Sequence, residues 1–208
     1  FIASGADLSD GDFASIEAGH GAVGSTNHEF RFKTCHAGTV AEKLRILSAG
    51  GITFNGDSAT ANALDDYEEG TWSPVFTDDG TSGNSASSYG DRAGWYVKIG
   101  NFVNVWFRVG TINFSGFNTS HQAYIKGLPY VIKADTDRLN TGSLMLSNVN
   151  IDSGTVGIGI LSNTGGGTNN SFFRMFQTID NAVWVSIKVS QFTSGNNEIM
   201  GNFSYQTV

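Results

Sequence analysis

Cysteine is nearly absent. Cys35 is the only one in 208 residues, so no intrachain disulfide can form. It reads as a small, half-buried strand residue, because no His, Asn or Asp signature surrounds it. Proline is equally scarce. Two prolines beside 27 glycines exclude a collagen-like chain. No apolar run approaches the roughly 20 residues that span a bilayer, and no segment has signal-peptide form. The chain is therefore expected to be soluble, without membrane insertion. Basic charge is sparse too, at 12 Lys and Arg against 19 Asp and Glu. With no clustered basic surface, nucleic acid is excluded as a partner. His20, His28, His36 and His121 lack metal-ligand spacing, which argues against zinc. The chain starts at Phe1 rather than Met, as the C-terminal piece of a longer or processed protein would.

What is present points to β-structure. Aromatics reach 12%, too many for a disordered tail. Gly and Asn clusters separate runs of β-branched and aromatic residues, the pattern of many strands and turns. The charge is divided unevenly. Residues 1–69 hold four basic and eleven acidic groups, whereas residues 70–208 hold eight of each. The composition step places a domain boundary near residue 70, giving a stem over 1–69 and a terminal domain over 70–208.

The two regions differ in pattern. In the stem, "HEFRFKT" alternates Phe30 and Phe32 with Arg31 and Lys33, "EKLRIL" alternates Leu44 and Ile46 with Lys43 and Arg45, and "GGITFNG" adds Ile52 and Phe54. Each run has one apolar and one polar edge. The segments are too thin to enclose a core alone, so the apolar edge is expected to meet identical neighbouring chains. The terminal region has longer runs. "NFVNVWFRVGTINF" alternates Val103, Val105, Phe107 and Val109 with Asn104, Trp106 and Arg108, and "NAVWVSIKVSQF" reads as a second long strand with Val183, Val185, Ile187 and Val189 on one face. Several such runs joined by Gly, Asn and Ser predict an antiparallel β-sandwich of jelly-roll type. Only a turn near Asp57–Leu64 has any helical character. Trp106 and Trp184 fall on the polar faces of their runs. Either they pack against a second layer, as large aromatics usually do, or they form an exposed ligand platform.

The stretch "LDDYEEGTWSPVF" gathers Asp65, Asp66, Glu68 and Glu69 ahead of Gly70, Trp72 and Pro74. Glycosidases need two carboxyls about 5–10 Å apart across a groove, in different environments. A contiguous acidic run supplies no such separation and usually lies on a wet face. It reads as a charged collar at a junction, with Gly70 for an unusual φ, Trp72 for packing and Pro74 to end strand pairing. Asp7, Asp10 and Asp12 sit in a glycine-containing turn but lack the full calcium-loop pattern. The segment Ser162–Ser171 is glycine-rich without the Lys-Ser/Thr ending of a phosphate loop, and reads as a mobile tip loop. No catalytic residue, metal or cofactor is expected.

"EKLRILSAGGITFNG" followed by "ALDDYEEGTWSPVF", "GWYVKIGNFVNVWFRV" and "IKGLPY" closely resembles the C-terminal regions of bacteriophage tail fibres and related virion structural proteins of marine-phage type. The matching motifs are Glu42–Ser48, Leu64–Pro74, Tyr96–Val103 and Gly127–Pro129. The string around Asp65–Trp72 is the specific part, and the likeness covers roughly residues 42–130. The resemblance implies a β-rich trimeric shaft, a β-rich terminal domain, a homotrimer in the virion joined to other tail or capsid proteins through its N-terminal end, and contact with the host cell surface. A charge-balanced terminal domain with Asn-, Ser-, Thr- and Gly-rich loops near aromatics fits a neutral or weakly charged surface glycan. Trp95, Tyr96 and Tyr124, with Asn169 and Asn170, are the candidate glycan-binding residues. The alternative is a capsid decoration or fibre-assembly protein without a receptor-binding role.

Overall fold

The computed structural model describes residues 14–20, 26–79, 83–134, 139–162, 171–192 and 195–208. Strands are antiparallel throughout, and no α-helix occurs among the described residues. The chain divides into two compact units between Tyr67 and Glu68. This boundary falls two residues before the composition step, because Glu68 and Glu69 already belong to a strand of the second unit.

The first unit is a four-stranded meander of β1 (Ser15–His20), β2 (His28–His36), β3 (Thr39–Ile46) and β4 (Ile52–Phe54). Ala37 and Gly38 join β2 to β3, both with positive φ (48° and 74°). That conformation matches the twist of a two-residue hairpin. Register sorts the side chains by face. Ile16 pairs with Phe32, Phe30 with Ile46, and Leu44 with Phe54, while Glu17, Arg31, Arg45 and Thr53 oppose one another on the other side.

The second unit contains β5 (Glu68–Trp72), β6 (Val75–Thr77), β7 (Asp91–Ile99), β8 (Phe102–Gly110), β9 (Tyr124–Lys126), β10 (Asn140–Ser147), β11 (Thr155–Ser162), β12 (Phe172–Ile179), β13 (Val185–Ser186) and β14 (Glu198–Gln206). They form one ten-stranded sheet in the order β5-β7-β8-β14-β10-β11-β12-β9-β6, with β13 paired to β12. The terminal strands of this path, β5 and β6, are separated in sequence only by Ser73 and Pro74. The sheet therefore curls until its two ends nearly meet. Among the described residues no break divides it into the two separate sheets of a jelly roll. The interior is aromatic. Phe173 lies 5.1 Å from Phe107 and 4.9 Å from Phe203, and Phe76 is flanked by Phe114, Phe117 and Phe192 at 5.0–5.6 Å between ring centroids.

Two expectations need correction. "NAVWVSIKVSQF" is not one long strand. Only Val185–Ser186 pairs regularly with β12, and the chain then enters a 3-10 turn over Val189–Gln191. The Gln191 side chain accepts from the Lys188 amide at 2.8 Å, which stabilises that turn, and the backbone around Ile187 bonds Met175, Ala123 and His121 without forming a continuous strand. Val183 and Val185 are consequently exposed while Ile187 and Val189 are buried. Gly70, for its part, has no positive φ. It is needed because the Tyr96 ring lies directly over it, with ring carbon and hydroxyl 2.9 Å from where a Cβ would stand. One step along the same strand pair the roles reverse: Trp72 lies over Gly94, the residue it pairs with. "GTW" on β5 and "GWY" on β7 thus interlock as two glycine–aromatic cross-strand pairs.

Candidate functional site

The acidic run is divided between the two units. Asp65 and Asp66 close the first unit, whereas Glu68 and Glu69 start β5 of the second. On a strand, successive side chains point to opposite faces. Glu68 accepts a hydrogen bond from the Tyr96 hydroxyl at 3.0 Å. It also bonds the Tyr130 hydroxyl, whose pKa burial pushes up, helped by its hydrogen bonds to Glu68 and Tyr96. The Lys98 ammonium lies 5.5 Å from the Tyr130 ring. Glu68 is thus a structural acceptor for two tyrosines. Trp72 is buried and donates to the Trp106 carbonyl at 3.2 Å. Pro74 lies in the two-residue link between β5 and β6. Among the described residues no group of three or more His, Cys, Asp or Glu could hold a metal ion, and no helix is long and apolar enough to cross a membrane.

Of the candidate glycan-binding residues, Trp95 lies on the outer face of β7, 49% exposed. Tyr96 faces the other way and is committed to Glu68, Gly70 and an edge contact with Tyr130 at 5.5 Å. It is therefore a structural residue. Tyr124, on β9, packs edge-on against Phe172 at 5.5 Å and its hydroxyl donates to Gln122 at 3.4 Å. It does not line the groove that holds Trp95. Asn169 and Asn170 lie outside the described residues, as do Asp7, Asp10 and Asp12.

What the fold does bring beside Trp95 is Trp106, directly opposite on β8 and 39% exposed. The same cross-strand row continues to Asn202 on β14 and Ser143 on β10. The neighbouring row runs from Arg108 to Met200 to Met145. Together these residues line a groove of about 420 Å³ on the outer face of the sheet. Its indole walls, thioether side and small polar floor come from four strands. At one end Arg108 pairs with Asp91 at 3.3 Å and with Glu198, whose carboxylate also accepts from Nε at 2.5 Å. Both carboxylates hold the Arg108 guanidinium firmly charged, the Glu198 hydrogen bond contributing most. A second, smaller depression of about 210 Å³ lies over β10, β11 and β12, with Trp184 and Phe176 beside Gly157 and Gly159. Trp184, 58% exposed, meets Phe176 edge-on at 6.5 Å.

The sequence marks Trp106 as a residue on a polar face. Asn202, Ser143, Met145 and Met200 carry no such mark. Their only signal is that each occupies an outward position of an alternating strand, and their convergence depends on a strand order that alternation does not specify. Compared with known proteins, the chain matches no family model, no curated protein and no solved structure.

Proposed function

We propose that the protein is a virion structural protein, a trimeric tail fibre whose terminal unit contacts the host cell surface through a glycan. One observation carries the oligomeric part of this reading. In the first unit, the charged face of the sheet is the packed one and the apolar face is open. Glu29 is 8% exposed, whereas Phe30 and Phe54 are 52% and 51% exposed, with Ile16 and Ile46 beside them. On the charged face, Arg45 bonds Glu42 at 2.7 Å and Glu29 at 3.2 Å, and Arg31 bonds Glu29 at 3.2 Å. A sheet with its charges paired and its phenylalanines in water lacks a partner for its apolar side. Identical chains around a symmetry axis supply that partner and also cover strand edges. The resemblance of Glu42–Ser48 and Leu64–Pro74 to phage fibres supports three copies and a virion location. The exposed indoles of the second unit support a surface-binding role.

Light scattering of the intact chain at micromolar concentration tests the assembly. The expected mass is three times the 22.1 kDa of one chain. A monomer mass overturns it. Adhesion of the fluorescently labelled chain to a panel of bacterial surfaces tests the role. Retention by no surface refutes host contact.

A further inference from the structure

We infer that the groove between Trp95, Trp106, Asn202 and Ser143 is a saccharide-binding site that takes a neutral glycan, an inference that rests on the host-contact reading above. Its volume, about 420 Å³, is that of a small-ligand site. A standard protein–protein interface instead needs a broad patch of roughly 800 Å² on each partner. The chemistry is of two kinds set side by side. Trp95 and Trp106 pair across β7 and β8, and the next two positions of the same row, Asn202 and Ser143, carry an amide and a hydroxyl.

A pyranose ring has the complementary division: an axial C–H face that lies on an indole and an equatorial rim of hydroxyls. An amide offers both donor and acceptor to that rim, and a serine hydroxyl does the same. Adjacent strands are about 4.8 Å apart. The distance from the Trp106 strand to the Ser143 strand is two such steps, so a ring stacked on Trp106 presents its rim to Asn202 and Ser143.

Charge selects the ligand class. Among the described residues, the only charged side chain lining the groove is Arg108, already shared between Asp91 and Glu198. A phosphorylated or carboxylated sugar would meet these two acids together with the arginine, so the groove favours uncharged sugars. Trp184 lines the other depression and has no place in this site.

The test uses the intact chain on a printed array of neutral and acidic bacterial surface oligosaccharides, with adhesion to periodate-treated and untreated cells in parallel. The variants are Trp106→Ala, Asn202→Ala and, as a control at an exposed indole outside the groove, Trp184→Ala. Each is first shown to unfold cooperatively at the wild-type midpoint. The Trp106 backbone carbonyl, not its ring, accepts the Trp72 hydrogen bond, so truncating the side chain leaves that contact in place. The inference expects retention on neutral members of the array, weakened about tenfold or more by Trp106→Ala and by Asn202→Ala, and unchanged by Trp184→Ala. If the array is silent, loss of periodate-sensitive adhesion in Trp106→Ala alone supports the site equally. Binding that survives Trp106→Ala, that is lost in Trp184→Ala, or that is confined to acidic oligosaccharides overturns the site while host contact stands. Adhesion that periodate does not reduce overturns the glycan but not host contact. Adhesion to no surface at all defeats the host-contact reading first, and the inference with it.

Discussion

Gly94→Ala should destabilise the second unit severely, for a reason that a second substitution can remove. The new methyl would stand 2.5 Å from Nε1 of Trp72 and 2.7 Å from two further indole atoms, inside contact distance. The indole has little freedom to yield. It is buried, donates to the Trp106 carbonyl at 3.2 Å and lies 6.0 Å from the Phe107 ring. Displacing it forfeits a hydrogen bond of about 1 kcal/mol and imposes overpacking of about 1–3 kcal/mol. The expected loss is about 2–4 kcal/mol in all. Trp72→Ala alone should cost about 3–5 kcal/mol. In that background the methyl meets empty space, and alanine in a strand interior regains about 0.5–1 kcal/mol over glycine. The double variant should therefore be no less stable than Trp72→Ala, a coupling of about 2–4 kcal/mol. Urea unfolding of the intact chain followed by far-ultraviolet circular dichroism measures all four corners of the cycle. Additive losses, or a neutral Gly94→Ala, would refute the interlocked glycine–aromatic pairing.

Phe30→Ser should weaken self-association by removing a ring that is half exposed in one chain, about 1 kcal/mol of burial per copy. A concentration-dependent shift toward monomer in sedimentation checks it. A chain restricted to residues 68–208, the second compact unit, should unfold cooperatively by itself, and a scan without a transition would contradict this. Acid should loosen the loop around Asp78. Burial alone would raise this carboxyl, but the Asn118 and Asn84 amides outweigh it and hold its pKa below the usual 3.8. A depressed folded value means that the carboxylate stabilises the fold at neutral pH and that this contribution is lost as pH falls below about 4. Asp78→Asn should cost about 1–3 kcal/mol at pH 7 and flatten the acid limb of the stability curve.

Alternation made β8 legible: Val103, Val105, Phe107 and Val109 are all buried, as the period of two requires. The curl of the sheet was not legible. It depends on β14 inserting between β8 and β10, a pairing across more than ninety positions for Trp106 and Asn202. "NAVWVSIKVSQF" misled because its valines alternate, yet tertiary packing buries Ile187 and Val189 through a 3-10 turn and leaves Val183 in water. Tyr96 misled for a related reason. Aromatic character marks it equally for stacking or packing, and only the glycine opposite, Gly70, decides for packing. The acidic run looked like one feature because adjacency in sequence was all that could be read. A strand start at Glu68 assigns its carboxylates to separate units.

The orientation of the first sheet constrains what any assembly must do. Register fixes which side chains share a face, and a one-residue slip would exchange the faces entirely. The bulge between Phe32 and Lys33 and the two-residue turn at Ala37 and Gly38 hold that register. The ion network adds to it, since the Arg45 hydrogen bond holds the Glu42 carboxyl below its usual range. The apolar face of the described strands therefore cannot be hidden by rearrangement within them, and the proposed assembly would cover it from outside. Coverage by identical chains, as proposed, would have a consequence for binding. An open groove with two indoles, an amide and a hydroxyl would engage one or two sugar rings, with an affinity near the millimolar range, about −4 kcal/mol. Three tethered copies would raise the effective concentration of the second and third encounters, and avidity would rise by about 10²–10⁴ without any new contact. A weak site of this kind functions as an attachment device only when oligomerised. Loss of the Phe30 contact and loss of Trp106 should thus abolish cell adhesion by separable routes, the first leaving monovalent affinity on the array intact and the second removing it.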